Sequence, residues 1–389
     1  MSPARRTSAR RPARASPRAR APGGAPTLTR RALNRATLAR QLLLKRARLT
    51  PVEAVEALAG LQAQAPRPPF IGLWTRLEKL AAADVLEAFE KRQLVRATAM
   101  RGTIHWLSAK DYRQLRASLQ PALTWGMNAI LRERAKALDL PALEKAARAL
   151  FSERPRTFDE AREELVRRFP KGDERAMGFA VRNVVPLVQV PQGAPWGFPA
   201  AADFALAGEW LKGAHSKDDS PLPLARKYLA AFGPATPQDF QTWSALPLPS
   251  ARDAFERLRG ELRAFRDERG RELFDLPDAP RPDEDVPAPT RFLPEFDNLV
   301  LSHADRTRVI ADEHRGKVVT KNLQVRATFL LGGEVAGTWK VERKKKAAAL
   351  VLEPFGELAK RDLAALEEEG ERLLRFCEPD AEDYAVRGA

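Results

Sequence analysis

Thr50-Pro51-Val52-Glu53 has the composition of a helix start, and the same arrangement returns twice along this chain of 389 residues. Threonine caps the first turn, proline suits the first helical position, and an acid three residues after the cap can bind the backbone N–H of the cap. Thr157-Phe158-Asp159-Glu160 repeats the cap and the acid, and Thr236-Pro237-Gln238-Asp239 repeats the cap, the proline and an acid. A helical stretch precedes each start, at 34–46, 141–152 and 222–232. The pattern predicts three helix-turn-helix units in tandem.

Each helical unit is followed by two short β-prone runs around a turn that contains glycine, which is typical of a β-hairpin. The paired runs are 94–100 with 103–107, 184–190 with 196–198, and 262–265 with 272–274. Helices followed by a hairpin form a winged helix, so this part of the chain is predicted to hold three winged helices. The same pattern also fits three unrelated helical hairpins.

The chain changes character after residue 276. Residues 277–290 are rich in Pro and Asp and predict a linker. Hairpin turns are predicted at Gly332-Gly333 and Lys344-Lys345-Lys346, and a last helix at 355–376. The strand-like runs are 291–293, 299–302, 318–320, 324–331, 334–341 and 348–352. We expect a small β-barrel or a curled sheet, and this last helix is expected to close the fold.

The expected fold is therefore α+β, with three tandem winged helix-turn-helix motifs and a small C-terminal β-barrel. The predicted division is a disordered basic tail at 1–27, winged helices at 28–135, 136–210 and 211–276, a linker at 277–290, and the barrel with its helix at 291–389.

The charge distribution indicates a polyanionic partner. The formal net charge is +15, and fourteen Arg and Lys residues precede the first acid, Glu53. An unbalanced basic end suits nucleic acid, although it also fits a solvated tail without a specific role or a transit peptide.

The single cysteine, Cys377, suits a reducing compartment. No apolar run approaches the roughly 20 residues of a bilayer span. We expect a cytoplasmic, nucleoid-associated protein without a membrane partner.

The sequence offers few of the usual catalytic signatures. The four histidines are far apart and form no helical i, i+4 pair, so no metal is expected. No phosphate-binding or dinucleotide-binding glycine motif appears, so no cofactor is expected either.

Gln62-Ala63-Gln64 would project two amides from one side of an extended segment. Amides donate and accept hydrogen bonds but do not titrate, so such a pair can hold a water or steady a cation. The alternative is that Gln62 and Gln64 are ordinary polar turn residues.

Several polar residues are candidates for DNA contact. Arg101 and His105 lie on the first predicted hairpin, where a wing would meet phosphates. The alternative is an exposed turn arginine and a packed histidine. A cluster between apolar segments could form a DNA-facing edge, or else serve as loop caps and ion pairs; it consists of Asp297, His303, Asp305 and Arg306.

Five stretches of this chain resemble a known family. They are Leu33–Gln41, Leu58–Gln64, Met100–His105, 233–244 and Leu293–Leu299. Together they are similar to the winged-helix, AlkZ-like superfamily of bacterial DNA glycosylases that act on alkylated guanine. The likeness runs through most of residues 30–355 and leaves out the basic tail. Gln62 and Gln64 match the Gln-x-Gln branch, which is the antibiotic-resistance type, whereas another branch has Gln-x-Asp.

The resemblance implies a C-shaped molecule around a DNA channel, with Gln62 and Gln64 as the catalytic residues and with Asn34 and Arg40 among the DNA contacts. It implies action on double-stranded DNA carrying alkylated or crosslinked guanine. Nothing in the sequence looks like a dimerising coiled coil, so we expect a monomer. The implied activity is a monofunctional DNA glycosylase that excises cationic N7-alkylguanine and unhooks interstrand crosslinks. The alternative is a winged-helix regulator or architectural protein that binds DNA without base loss, and a nucleoid-coating role for the tail is a third possibility.

Overall fold

The structure is a computed structural model that describes residues 24–322 and 324–388, and the predicted tail lies mostly outside these residues. The helices are Arg30–Arg40 (α1), Pro51–Ala57 (α2), Pro68–Trp74 (α3), Ala82–Glu90 (α4), Ala109–Leu131 (α5), Glu133–Lys136 (α6), Leu140–Glu153 (α7), Phe158–Arg168 (α8), Glu174–Val184 (α9), Ala207–Trp210 (α10), Leu222–Phe232 (α11), Pro237–Ser244 (α12), Leu248–Leu258 (α13), Asn298–Leu301 (α14), Arg315–Val318 (α15) and Lys360–Cys377 (α16).

The strands alternate with these helices in a mixed α+β fold, as predicted. They are Thr27–Leu28 (β1), Leu61–Gln62 (β2), Leu94–Thr98 (β3), Ile104–Ser108 (β4), Leu187–Gln189 (β5), Phe204–Leu206 (β6), Arg263–Asp267 (β7), Glu272–Asp275 (β8), Arg291–Leu293 (β9), Thr328–Leu331 (β10), Glu334–Lys344 (β11), Ala347–Pro354 (β12) and Asp383–Gly388 (β13). Among the described residues, no helix combines the length and the apolar character that crossing a bilayer would require.

The three predicted helix starts are confirmed. Thr50, Thr157 and Thr236 cap α2, α8 and α12, and each forms the reciprocal bond with the acid three residues later. At the first start, Thr50 Oγ1 accepts from the Glu53 N–H at 3.3 Å, and the Glu53 carboxylate accepts from the Thr50 N–H at 2.9 Å. Each cap contributes about 1 kcal/mol to the stability of its helix. The helix that precedes each cap is also present, as α1, α7 and α11.

The first predicted hairpin is confirmed, whereas the second has a different return strand. β3 pairs with β4, but β5 pairs with β6 at 204–206, and Pro195–Gly197 is a short helical turn. The aromatic rings of this turn pack into the first unit. Trp196 lies 4.8 Å from Phe70 and Phe198 lies 5.0 Å from Phe89, measured between ring centroids. The prediction failed because apolar residues that face a neighbouring core look like a strand in sequence.

One antiparallel sheet joins the first two predicted units. Its order is β2-β4-β3-β5-β6, and Ala97 of β3 pairs with Val188 of β5. The third predicted hairpin, β7 with β8, is confirmed, and β1 adds to it in parallel through Thr27 and Arg266. The first two units therefore share backbone hydrogen bonds, and the division into domains stays a prediction.

The C-terminal part contains an open sheet where a closed barrel was predicted. Its order is β13-β12-β11-β10-β9, with β9 and β13 as edges, and α16 packs on it. The turn at Gly332-Gly333 is confirmed. The run 299–302 falls on α14 and its C-cap, and Val318 ends α15. Only Val319 forms a single bridge, to Val325, so neither predicted run is a strand. Both runs are apolar because they pack in the core of this region, which hides helical periodicity in such short segments.

Residues 277–290 contain no helix or strand and lie along α1. Arg35 Nε donates to the carbonyl of Val286 at 2.7 Å, and Arg40 Nη2 donates to the carbonyl of Pro280 at 3.1 Å. This segment is therefore fastened to the N-terminal helix by side-chain bonds, which distinguishes it from a free linker.

Candidate active site

The Gln62-Ala63-Gln64 motif follows a turn that requires glycine. Gly60 has φ of +88°, and a Cβ atom there would lie 2.7 Å from Leu107 Cδ2 and 2.9 Å from the carbonyl oxygen of Trp106. Only glycine adopts this conformation and fits this space without strain. The turn leads from α2 directly into β2, which pairs with β4. The position at which the motif begins is therefore fixed.

The three residues of the motif differ in exposure. Gln62 pairs with His105 in the antiparallel register of β2 and β4 and is 7% exposed. Ala63 is fully buried and its N–H donates to the carbonyl of Ile104 at 2.7 Å. Gln64 lies in the following bend and is exposed. Ala63 thus faces the core, as expected from strand alternation, but the extended segment ends before Gln64.

Arg101 holds the side chain of Gln62. Its Nη2 donates to Gln62 Oε1 at 2.8 Å, and its Nη1 donates to the carbonyl oxygen of Trp243 at 2.7 Å. Arg101 has φ of 57° in the turn between β3 and β4, which directs the side chain inward. Burial, with repulsion from Arg306 as the second cause, lowers the pKa of Arg101 to about 10. Arg101 is still a cation at neutral pH.

His105 is a neutral neighbour of this arginine. It is 1% exposed, and burial, followed by the charge of Arg101, lowers its pKa to about 3. Its Nδ1 lies 3.0 Å from the carbonyl oxygen of Thr103, so Nδ1–H donates there. The remaining ring nitrogen, Nε2, is then an acceptor and lies 3.4 Å from Arg101 Nη2. Both Gln62 and His105 thus present an acceptor to the same guanidinium nitrogen.

Arg96 supports the backbone of the motif and was missed in the sequence. Its Nη2 donates to the carbonyl oxygen of Ala63 at 2.8 Å, and its Nη1 donates to Gln189 Oε1. The residue is 4% exposed, and burial lowers its pKa to about 10. A charged residue in the middle of the β-prone run Leu94-Val95-Arg96-Ala97-Thr98 was the available signal.

Asn298 supports the turn before the motif. Its Nδ2 donates to the carbonyl oxygen of Gly60 at 2.5 Å. The motif therefore has three side-chain supports that come from different parts of the chain. They are Arg96 with Gln189, Arg101 with Trp243, and Asn298.

Asn34 and Arg40, two predicted DNA contacts, lie inside the protein. Asn34 is 2% exposed and its Nδ2 donates to the carbonyl oxygens of Arg308 and Gly333 at 2.7 and 2.8 Å. Arg40 is 5% exposed and forms two bonds to Asp275, at 2.7 and 2.8 Å. Their hydrogen-bonding groups are used within the protein, so we withdraw both residues from the DNA interface.

Asp297 and His303 are also buried, in agreement with the alternative of caps and ion pairs. Asp297 accepts two bonds from Arg76, both at 2.8 Å, and caps α14. His303 is 1% exposed and lies 3.1 Å from the carbonyl oxygen of Phe232. Burial, then the charge of Arg308, lowers the pKa of His303 to about 3. These two residues are withdrawn as well.

Arg306 remains a candidate for DNA contact. It is partly buried, and its Nε has no partner in the described part of the chain. Burial, followed by repulsion from Arg315, lowers the pKa of Arg306. The charge of Arg306 is also the second cause, after burial, of the lowered pKa of Arg101. A partly buried cation without an anionic partner is suited to a phosphate.

The chemistry available at the motif is that of neutral amides. The neighbours of the two glutamines are a neutral histidine and two arginines that have no carboxylate partner among the described residues. No group of three or more His, Cys, Asp or Glu side chains with the arrangement of a metal site occurs in residues 24–322 and 324–388. The site can orient water and donate or accept hydrogen bonds, but its neutral histidine is a poor base.

One relative and one solved structure each match most of this chain. The chain is 26% identical over 363 residues to the interstrand DNA cross-link repair glycosylase of Streptomyces sahachiroi, covering 86% of this chain and 93% of that protein. The solved structure of Streptomyces sahachiroi DNA glycosylase AlkZ superposes with a TM-score of 0.75 at 22% identity, covering 93% of this chain and 100% of the other, which shows a shared fold.

The family comparison is independent of any single relative. Residues 55–376 match the AlkZ-like DNA glycosylases, and this range contains the Gln-x-Gln motif, the Arg101 turn and strands β9 to β12 of the open sheet. The protein belongs to the family of AlkZ-like DNA glycosylases.

Proposed function

We propose that this DNA glycosylase excises cationic N7-alkylguanine-type lesions from double-stranded DNA, with Gln62 and Gln64 as its catalytic residues. The observation that carries the proposal is the surroundings of the two side-chain amides. Gln64 is exposed, and Gln62 is held by Arg101 at the end of a strand with a neutral histidine opposite. An enzyme that had to protonate an ordinary purine would need an acid here, whereas an already cationic base needs none.

The reaction balances without a protonating group. N7-alkylguanine carries a positive charge, so the C1′–N9 bond can break with its electron pair moving onto the base, which leaves neutral. The sugar becomes oxocarbenium-like, and a water oxygen then forms the new bond to C1′ and releases a proton to solvent. Preorganised amides can position that water and stabilise the developing charges. No lysine is assigned as a nucleophile, so we propose a monofunctional enzyme without lyase activity.

The substrate range is proposed to include interstrand crosslinks. The relative from Streptomyces sahachiroi is named for this repair, and it aligns with 86% of this chain. A crosslinked base cannot be fully extruded from the duplex into a tight pocket. An exposed catalytic residue such as Gln64 therefore suits this substrate better than an enclosed one.

The winged helices, the DNA channel and the oligomeric state are proposals as well. We propose that the three capped helix pairs with their hairpins act as winged helices along a DNA channel, and that the protein works as a monomer near the nucleoid. The support is the order of helices and hairpins, the net charge of +15 and the partly buried Arg306 without a partner for its Nε among the described residues. The basic tail lies outside the described residues, and its DNA role stays a prediction.

The decisive experiment is base release from a duplex with a single N7-methylguanine under single-turnover conditions. Wild-type protein should release the base, and Gln62→Ala with Gln64→Ala should abolish release while DNA affinity stays within about threefold. Equal release by the double variant would remove the motif from catalysis. Binding without base release by the wild type would favour the regulator or architectural role instead.

A further inference from the structure

The contact between Arg101 and Gln62 fixes which end of the amide is free. A guanidinium only donates hydrogen bonds, so the Gln62 atom that faces Arg101 Nη2 at 2.8 Å must be the oxygen. This assignment follows from the chemistry of the two groups. The Nε2 of Gln62 has no hydrogen-bond partner in the described part of the chain, and the side chain keeps slight exposure at 7%. The two N–H donors are therefore the free end of this residue.

Arg101 is itself held in one place, so the orientation of Gln62 is stable. Its Nη1 binds the carbonyl oxygen of Trp243 at 2.7 Å, and His105 Nε2 lies 3.4 Å from its Nη2. Because burial keeps His105 neutral, the arginine faces an acceptor there and no second charge. The negative end of the Gln62 dipole thus points at a fixed cation, and its positive end points away.

A positive dipole end is unsuited to steady a cationic sugar. It suits the departing base, where the electron pair of the C1′–N9 bond arrives. Gln64 has no such constraint, since it is exposed in the bend and its amide has no partner among the described residues. Its oxygen can accept a hydrogen bond from the attacking water or face the sugar.

We infer that the two glutamines have different roles, which Arg101 imposes as a positioning residue. Gln62 donates from Nε2 to the departing guanine, and Gln64 offers its oxygen to the water and the sugar. This inference rests on the proposed function, because it assigns tasks within the same reaction. It extends that proposal by replacing two equivalent amides with one donor and one acceptor.

The test compares glutamate with alanine at each position, on duplex DNA with a single N7-methylguanine. Gln62→Glu retains an acceptor for Arg101 but loses the N–H donors, so its single-turnover rate should fall about 100-fold and match that of Gln62→Ala. Gln64→Glu retains the acceptor, so it should be clearly faster than Gln64→Ala. Thermal unfolding checks that each variant is folded. A Gln62→Glu rate well above that of Gln62→Ala would overturn the inference.

A double-mutant cycle tests the role of Arg101 independently and applies even if Gln62→Glu does not fold. Arg101→Lys should lower the rate in the wild-type background and have no further effect with Gln62→Ala, because both act through one amide. DNA affinity should change little. An equal loss of rate in both backgrounds, or a loss confined to affinity, would show that Arg101 contacts DNA directly.

The outcomes separate this inference from the proposed function. If Gln62→Ala releases base at the wild-type rate, the catalytic assignment of Gln62 fails. If Gln62→Ala is inactive while Gln62→Glu retains activity, the catalytic assignment stands and only the donor role fails.

Discussion

Arg76 and Asp297 form a fully buried ion pair with two hydrogen bonds of 2.8 Å, and their side chains are 0% and 1% exposed. Arg76 follows the helix that begins after the motif, and Asp297 caps the helix that contains Asn298, which supports the motif turn. The pair therefore joins the motif region to the C-terminal part of the chain and has a structural role.

Asp297→Ala should lower the free energy of unfolding by about 3–5 kcal/mol, because it leaves a buried guanidinium without its counterion. Urea unfolding measures this loss. Glu78→Gln is the matched control, since Glu78 pairs with the largely exposed Arg48 and should have little effect. At a temperature where the Asp297 variant is folded, its DNA affinity should equal that of the wild type. A selective loss of affinity would restore Asp297 as a DNA contact.

Gly60→Ala should destabilise the protein and slow base release, because the new Cβ would meet Leu107 and the Trp106 carbonyl at a positive φ. We expect a loss of about 1–3 kcal/mol of stability and a larger fractional loss of rate than of DNA affinity. Gly126→Ala in α5 is the control, as nothing lies within 4 Å of its Cβ position. Removal of backbone freedom in the unfolded chain should make that variant more stable by about 0.4–1 kcal/mol. Normal stability and rate for Gly60→Ala would contradict the fixed turn.

Stability should fall as the pH drops below 6.5. His105 and His303 have a folded pKa of about 3, below the unfolded value of 6.5. Above pH 6.5 both states are neutral, and below it only the unfolded state gains protons, which favours unfolding. Each histidine should contribute a slope of up to about 1.4 kcal/mol per pH unit until the pH reaches the folded pKa. Urea unfolding at pH 6 and pH 5 measures the slope.

His303→Gln should reduce that slope by the contribution of one histidine. His303 lies outside the motif, so this comparison of the two pH slopes does not depend on catalysis. An unchanged slope would show that His303 is protonated in the folded protein.

Arg306→Gln should weaken DNA binding to all sequences and reduce the salt dependence of log K by about 1, as expected for one lost phosphate contact. The rate at saturating protein should change little, because the side-chain hydrogen bonds that hold the motif among the described residues come from Arg96, Arg101 and Asn298. Arg361→Gln is the control, since Arg361 is 89% exposed on α16. If both variants have the same salt slope as the wild type, Arg306 does not contact phosphate.

Local sequence signals predicted the local structure well. The caps at Thr50, Thr157 and Thr236 and the hairpin turn at Gly332-Gly333 depend on residues that are close in sequence, and all are confirmed. Trp196 and Phe198 were misassigned because their environment is another unit's core. The strand β13, parallel to β12, has no local signal that distinguishes it from an exposed tail, and was missed.

In the candidate site, too, local sequence predicted the residues but not their contacts with distant parts of the chain. The Gln-x-Gln motif is local and was identified from sequence, as were Arg101 and His105 on the adjacent turn. Their mutual contacts depend on the pairing of β2 with β4, which sequence alone did not give. Arg40 is the instructive error, because it was assigned to DNA from the family resemblance of the stretch Leu33–Gln41. Its partner Asp275 is more than 200 residues away along the chain, so nothing nearby indicated a buried pair.

The guanidinium of Arg96 holds Ala63 on one side and Gln189 on the other, across the backbone pairing of β3 with β5. A displacement of β5 therefore cannot occur without altering the support of the motif. In hydrogen exchange, the amide of Ala63 and the amides of β5 should open together with one common free energy. The protein would then lose its active geometry in a single cooperative step and would have no partly unfolded form that still cuts the glycosidic bond.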